Sequence, residues 1–269
     1  MMRSNLHTHT KYCDGKNTPE ELVKKAISLG FSSIGFSGHG YTSFDNSFCM
    51  SNENTQKYLK EIKTLKEKYK DKIEIFVGLE ADLYSEYDKK AFDYTIGSCH
   101  YIKVNNEYLC VDESEEAMRK IVALYFDNNY LKYTSAYYET IAKLPSISPD
   151  IIGHFDIVTK FNEGNKYFDE TDKKYLDSAF CAIDEILKSS DLFEINTGPI
   201  CRGYKTTLYP AIPILKRLKE KGARIIISSD CHDAHCLDFY FDDTNKLLKE
   251  IGFLSATTFI GGRFLEYSL

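Results

Sequence analysis

The chain has 269 residues, 43% of them hydrophobic, which suits one large α/β domain or two small ones and excludes global disorder. Its net charge of −6, with Lys and Arg spread along the sequence, argues against a nucleic-acid binder relying on bulk attraction to phosphate; a small phosphorylated substrate held by a local metal charge is compatible with it. No apolar run reaches membrane-spanning length, Met1-Met2-Arg3 leads on without a signal peptide, and the eight cysteines contain no Cys-x-x-Cys pair, so the expectation is a cytoplasmic protein with reduced thiols and no structural zinc ribbon.

Arg3 to His9 reads as a strand containing Asn5-Leu6-His7-Thr8-His9. Residues i and i+2 of a strand share a face, about 7 Å apart, so His7 and His9 can reach one divalent ion; alone, such a pair is as readily two solvated side chains. Asp14-Gly15 follows in a loop. Thr18-Pro19-Glu20-Glu21 then starts a helix with an N-cap, a proline at the first helical position and a capping box, and Gly30 ends it. Ser32 to Ser37 is the second strand, leading into Gly38-His39-Gly40 and an aromatic-bearing polar loop over 41–52. A charged helix over 54–69 precedes strands at 73–79 and 93–99, which run into Glu80 and His100. Residues 113–143 read as helix, broken near Asn128-Asn129. A short strand over 150–153 precedes His154, a helix covers 172–189, and a strand over 192–195 ends at Asn196. A helix over 210–221 leads to the apolar strand 224–228 and Ser229-Asp230-Cys231-His232; a helix over 243–250 and a strand near 257–259 close the order. About seven strand–helix alternations without a linker predict a parallel sheet with crossover helices, closed as a barrel or open and doubly wound.

Barrels of this kind carry chemistry at the C-terminal ends of their strands, and that is where the polar residues fall. His7, His9, His39, Glu80, His100, His154, Asp230 and His232 sit at or just past strand ends, with Asp14 in the loop after the first; of the seven histidines only His235 does not fit. Each has an ordinary structural explanation: His39 could bond a carbonyl, Glu80 could pair with a lysine, Asp230 could cap a helix. Jointly they are nine groups at one end of a barrel. One open catalytic site needs three or four, so two or three ions are implied, with a carboxylate such as Glu80 bridging a pair. Cys99 and Cys231 alternate to the opposite strand face and read as packing residues.

His7-Thr-His9, Asp14-Gly15, Ser37-Gly-His39, Gly78-Leu-Glu80, Gly97-Ser-Cys-His100, Gly153-His154-Phe-Asp156 and Ser229-Asp230-Cys-His232 resemble, in order, the motifs of the polymerase-and-histidinol-phosphatase (PHP) superfamily, and length and spacing are similar to its stand-alone histidinol-phosphate phosphatase branch. The resemblance implies a single domain over 1–269 with a distorted (β/α)7 barrel and a trinuclear metal site. It implies His7, His9, Glu80 and Asp230 at one ion, Glu80, His100 and His154 at a second, and Asp14, His39 and His232 at a third. It also implies basic residues on the phosphate. Those that look equivalent are Arg202 and Lys160, where lysine replaces an expected arginine and loses the bidentate fork.

These parts allow phosphomonoester hydrolysis. Water between two ions can be brought to hydroxide near neutral pH, while the ions and Arg202 offset charge on the phosphoryl oxygens. Asp230, His232 and a metal-bound water are the candidates for protonating the leaving alcohol. With the resemblance, the expected substrate is L-histidinol phosphate, with the loop Tyr41 to Phe48 and Asp45 either stacking on it and countering its charge or packing beneath themselves. Zn, Fe and Mn all suit imidazole and carboxylate ligands. Three other classes are a PHP nuclease or phosphodiesterase, an amidohydrolase-like C–N hydrolase, and a non-enzymatic metal-binding or regulatory protein. The acidic balance disfavours the first, and the second would typically add a bridging lysine where this chain offers Glu80.

Overall fold

In a computed structural model describing residues 3–269, the strands are β1 (Ser4–Asn5), β2 (Ser33–Phe36), β3 (Glu74–Asp82), β4 (Tyr94–Ser98), β5 (Tyr101–Val104), β6 (Glu107–Cys110), β7 (Ile151–Ile152), β8 (Leu192–Asn196), β9 (Arg224–Ser228), β10 (Ser255–Ile260) and β11 (Arg263–Ser268). The helices are α1 (Pro19–Ser28), α2 (Asn52–Tyr69), α3 (Glu115–Tyr125), α4 (Tyr130–Ile141), α5 (Lys173–Ile186), α6 (Gly198–Cys201), α7 (Ile212–Glu220) and α8 (Phe241–Ile251). Met1 and Met2, on which the expectation of no leader partly rests, lie outside the described residues. No described helix is long and apolar enough to cross a membrane.

Seven strands run parallel in the order β1-β2-β3-β4-β7-β8-β9. The curled sheet meets itself where Thr8 pairs with Cys231, just past β1 and β9. There His9 N–H donates to the Cys231 carbonyl (2.8 Å) and Cys231 N–H to that of His7 (2.9 Å). This is the expected distorted (β/α)7 barrel. At the opposite end β10 pairs with β9, and the Ser33 hydroxyl donates to the Phe259 carbonyl (2.8 Å), so β10 fills the gap beside the short β1.

The first strand is shorter than the 3–9 expected, because the ladder ends at Asn5, whose side chain bonds the chain beyond it. The Asn5 side-chain oxygen takes the His7 N–H (3.0 Å), and its amide donates to Ser229 Oγ (2.7 Å) and the Leu237 carbonyl (2.9 Å). α1 begins with the predicted capping box between Thr18 and Glu21, worth about 1 kcal/mol. The break between α3 and α4 falls where expected, with Asp127 and Asn128 in the left-handed region and Asn129 capping α4. Two features were not anticipated. The hairpin β5–β6 turns through Asn105-Asn106, both at positive φ, and β11 follows β10 through Gly261-Gly262.

Leu6, Phe76, Tyr94, Ile96, Ile151, Leu192, Ile226 and Phe259 fill the barrel, and the larger apolar cluster lies between sheet and helices. Tyr94 needs glycine around it: a Cβ on Gly78 would stand 2.2 Å from its ring. The expectation of reduced thiols is corrected at one pair. Cys201, at the end of α6, and Cys236 form a disulfide across 35 residues, because the segments following β8 and β9 lie side by side at the mouth of the barrel.

Candidate metal centre

Alternation along β3 turns Gly78, Glu80 and Asp82 inward, and β8 does the same for Leu192, Glu194 and Asn196. Polar groups thus rise from an apolar floor at the C-terminal ends of the strands. Glu80 is fully buried at the centre. Its Oε1 lies 2.7 Å from His154 Nε2 and 3.4 Å from His100 Nε2. Its Oε2 lies 2.9 Å from His39 Nδ1, 3.2 Å from His7 Nε2 and 3.4 Å from His9 Nε2.

The second carboxylate is Asp230, with φ +47°, a conformation Asp tolerates better than most residues and one that clusters at functional sites. Its Oδ1 is 3.1 Å from His9 Nε2, and its Oδ2 accepts from Arg202 Nη2 at 2.7 Å. Asp14 is the third, 3.1 Å from His232 Nε2, 3.5 Å from His9 Nδ1 and 3.6 Å from His39 Nε2. Its loop presses so closely on the first strand's extension that a Cβ on Gly15 would stand 2.4 Å from the His9 carbonyl carbon.

All nine expected residues therefore converge. They fall into overlapping groups: His7, His9 and Asp230; His7, Glu80 and His154; His39, Glu80 and His100; and His9, Asp14, His39 and His232. Within each group the ligand atoms lie within 4.8 Å of one another. His235, the outlier of the sequence pattern, stays outside this cluster.

The electrostatics follow from packing charges side by side, most of them buried. Burial opposes the charge on Glu80, yet His39, His7 and His100 hold its carboxyl well below the usual range. Burial lowers His39, but Glu80 and Asp14 raise it to about 9. Burial, with His232 and His39 beside it, lowers His9 to about 3, which keeps it in the neutral form that ligates metal.

His7 Nε2, His9 Nε2 and Glu80 Oε2 are buried and make no hydrogen bond despite their proximity. Such atoms ordinarily cost about 1–3 kcal/mol each unless something else satisfies them. They lie among the ligand atoms of the overlapping groups without hydrogen-bonding to them, and this donor set fits divalent ions of the Zn, Fe or Mn kind.

A cavity of about 610 Å³ opens over the cluster, bounded by Arg202 and Lys160 as well as Asp45, Phe48, Asp112 and Tyr204. Arg202 Nη1 is 2.8 Å from His232 Nδ1. Lys160 is not a loose surface lysine. Its Nζ donates to the Asp112 carbonyl (2.7 Å) and carboxylate (3.1 Å) and lies 4.8 Å from the centre of the Tyr204 ring. The loop after His39 divides its aromatics: Phe44 stacks on Tyr108 of the β5–β6 hairpin, while Phe48 faces His39 and the cavity. Asp45 accepts from the Tyr101 hydroxyl (2.6 Å).

Sequence reasoning missed Glu194. It is buried, and its Oε1 meets His7 Nδ1 at 2.5 Å. Its Oε2 accepts from the His154 N–H (2.6 Å) and from Asn196 Nδ2 (3.0 Å). The signal was available: a charged residue between Phe193 and Ile195 in a buried strand, on the face that Asn196 shares. Asp82 plays a similar part, accepting the His100 N–H at 2.7 Å.

Comparison with known proteins adds three findings. The model of the PHP domain family matches residues 5–198. The chain is 25% identical to the histidinol-phosphatase of Bacillus subtilis over 265 residues, covering 90% of this chain and 98% of that one. It is also 25% identical to the histidinol-phosphatase of Lactococcus lactis, covering 97% and 96%. The crystal structure of the histidinol phosphate phosphatase of Lactococcus lactis, complexed with zinc, L-histidinol and phosphate, superposes with a TM-score of 0.73 at 22% identity and covers 98% of both chains.

Proposed function

The chain belongs to the PHP domain family, and from that membership we propose that it is a metal-dependent phosphomonoesterase, a histidinol-phosphatase that hydrolyses L-histidinol phosphate to L-histidinol and phosphate. The observation that carries this reading is the set of buried atoms on His7, His9 and Glu80 that make no hydrogen bond, beneath a cavity walled by Arg202 and Lys160. The curated relatives, matched over nearly their whole length, support the choice of substrate.

His7, His9, Asp14, His39, Glu80, His100, His154, Asp230 and His232 would hold a trinuclear centre of Zn, Fe or Mn. Bound divalent ions supply Lewis acidity and bring water to hydroxide near neutral pH. Arg202 contributes a planar donor fork to the phosphoryl oxygens, and Lys160 a point charge at the far wall. Asp230 and His232 adjoin Arg202, but as ligands they would carry no proton to give: burial opposes the charge on Asp230, yet Arg202, His7 and His232 hold its carboxyl well below the usual range, and Arg202 Nη1 faces His232 Nδ1, so the proton for the leaving oxygen would come from water at the centre. Glu194 fixes the ring of His7, so that Nδ1 is engaged and Nε2 faces the centre. We also read the chain as one domain, since Arg202, Asp230 and His232 lie beyond the segment the family model matches yet share its site. A cytoplasmic setting belongs to the same proposal.

The test is a comparison of kcat/KM for the metal-loaded enzyme on histidinol phosphate, sugar phosphates, nucleotides and phosphotyrosine. Histidinol phosphate leads on this reading. Another ester ahead of it by about a hundredfold would overturn the substrate and leave a phosphomonoesterase.

A further inference from the structure

We propose that Cys201, Cys236 and His235 form a second, thiolate-rich metal site that assembles when the Cys201–Cys236 disulfide is reduced, separate from the nine-residue centre. One ligand atom from each of the three lies within 4.8 Å of the others. The two cysteine Cα atoms are 6.0 Å apart, a backbone separation that can place two sulfurs on one tetrahedral ion. His235 supplies the independent sign. It is the one histidine that the central cluster does not use, and it is already oriented for a ligand. Its Nδ1 lies 2.8 Å from Asp233 Oδ1, and its Nε2 points back to Cys236 Sγ at 3.4 Å. A carboxylate on one ring nitrogen with the other facing sulfur is the arrangement that orients metal-bound imidazoles. Asp233 is itself held by Lys16, whose Nζ lies 3.1 Å from Oδ2.

The site would be open on the side of His235, whose side chain is 67% exposed, with Cys201 half-buried and Cys236 buried behind it. Three protein ligands leave one tetrahedral position for solvent, and two thiolates with an imidazole favour zinc-class ions over magnesium or calcium. Reduction proceeds by two-electron exchange with a cellular dithiol: the Cys201–Cys236 bond breaks, the dithiol becomes a disulfide, and two protein thiols form. Binding the ion then releases both thiol protons to solvent. In either state a clip spans the segments after β8 and β9. Those segments carry Arg202, next in sequence to Cys201, and Asp230 and His232, just before Cys236.

The experiment uses the full chain, freed of metal by chelation and divided into oxidised protein and protein reduced with a trialkylphosphine that is then removed. Cobalt(II) is titrated into both. The reduced protein should gain a sulfur-to-cobalt charge-transfer band in the near ultraviolet and bind about one equivalent more than the oxidised protein. The band should vanish in the Cys201→Ser/Cys236→Ser variant, and His235→Ala should weaken the site at least tenfold. Persistence of the band in the double variant would move the sulfur ligand elsewhere, to Cys13 beside His9, and overturn the proposal. A measurement needing no substitution is alkylation of Cys201, the less buried of the two thiols, in reduced wild type, read by peptide mass. Zinc should slow it at least tenfold, and equal rates with and without zinc would refute the site. Neither readout depends on phosphatase turnover, so failure here and failure of the substrate assignment are separable.

Discussion

At the scale of single residues, the chemistry rests on side chains that have no better partner than a cation. His7 is held from behind by Glu194, and the same carboxylate receives the His154 N–H, so one buried residue sets two expected ligands. Glu194→Gln preserves shape but turns an amide N–H2 toward donors. Metal affinity, measured by competition with a chromogenic chelator, should fall about ten- to a hundredfold while the circular dichroism spectrum is kept; unchanged affinity would remove Glu194 from this role. Asp112 is the second residue with a measurable consequence. Burial opposes its charge, but Lys160 and His100 lower its pKa to about 2. A depressed carboxyl stabilises the fold above its unfolded value, and that contribution is lost as pH falls through about 2. Asp112→Asn should therefore cost on the order of 2 kcal/mol in urea unfolding of the metal-free protein at pH 6, and the gap to wild type should close toward pH 2. A gap independent of pH would contradict this origin.

At the scale of elements, the strands matter for what they end in and what they enclose. The ends were legible: each histidine or carboxylate after an apolar run has an ordinary structural explanation, but their common placement at strand ends exposed the site. Glu194 was less legible because it lies inside a strand rather than at its end, where a lone charge does not announce its partner. The β5–β6 hairpin was hidden by a turn of two asparagines without glycine, and the Cys201–Cys236 pair by a 35-residue separation that only the folded barrel closes. The enclosed floor depends on Tyr94, whose hydroxyl donates to the Leu6 carbonyl, tying β4 to the segment after β1 that carries the opening histidines. Gly78→Ala would drive a methyl group into the Tyr94 ring. It should cost on the order of 3 kcal/mol in chemical denaturation, and a loss below the error of the measurement would show that the barrel interior yields more readily than its packing implies.

At the scale of the whole molecule, the barrel gathers groups from His7 to His232 into one cluster, buried at Glu80 and open at Asp14, including residues on both sides of the limit of the family match at residue 198. That long-range assembly separates the fold from the sequence pattern that announced it. The order of motifs named the strand ends, but the overlap of the ligand groups arises from barrel closure at Thr8 and Cys231. The central claim is that these groups hold the ions on which phosphatase turnover depends. Its most direct measurement is a combined metal and activity titration, in which chelator-stripped, oxidised protein is reloaded with zinc or manganese while bound equivalents and histidinol phosphate turnover are followed together. About three equivalents should bind in wild type, with turnover absent from the stripped protein and restored as they enter. Full turnover in the metal-free protein, or bound metal that restores none on any phosphomonoester, would contradict the account.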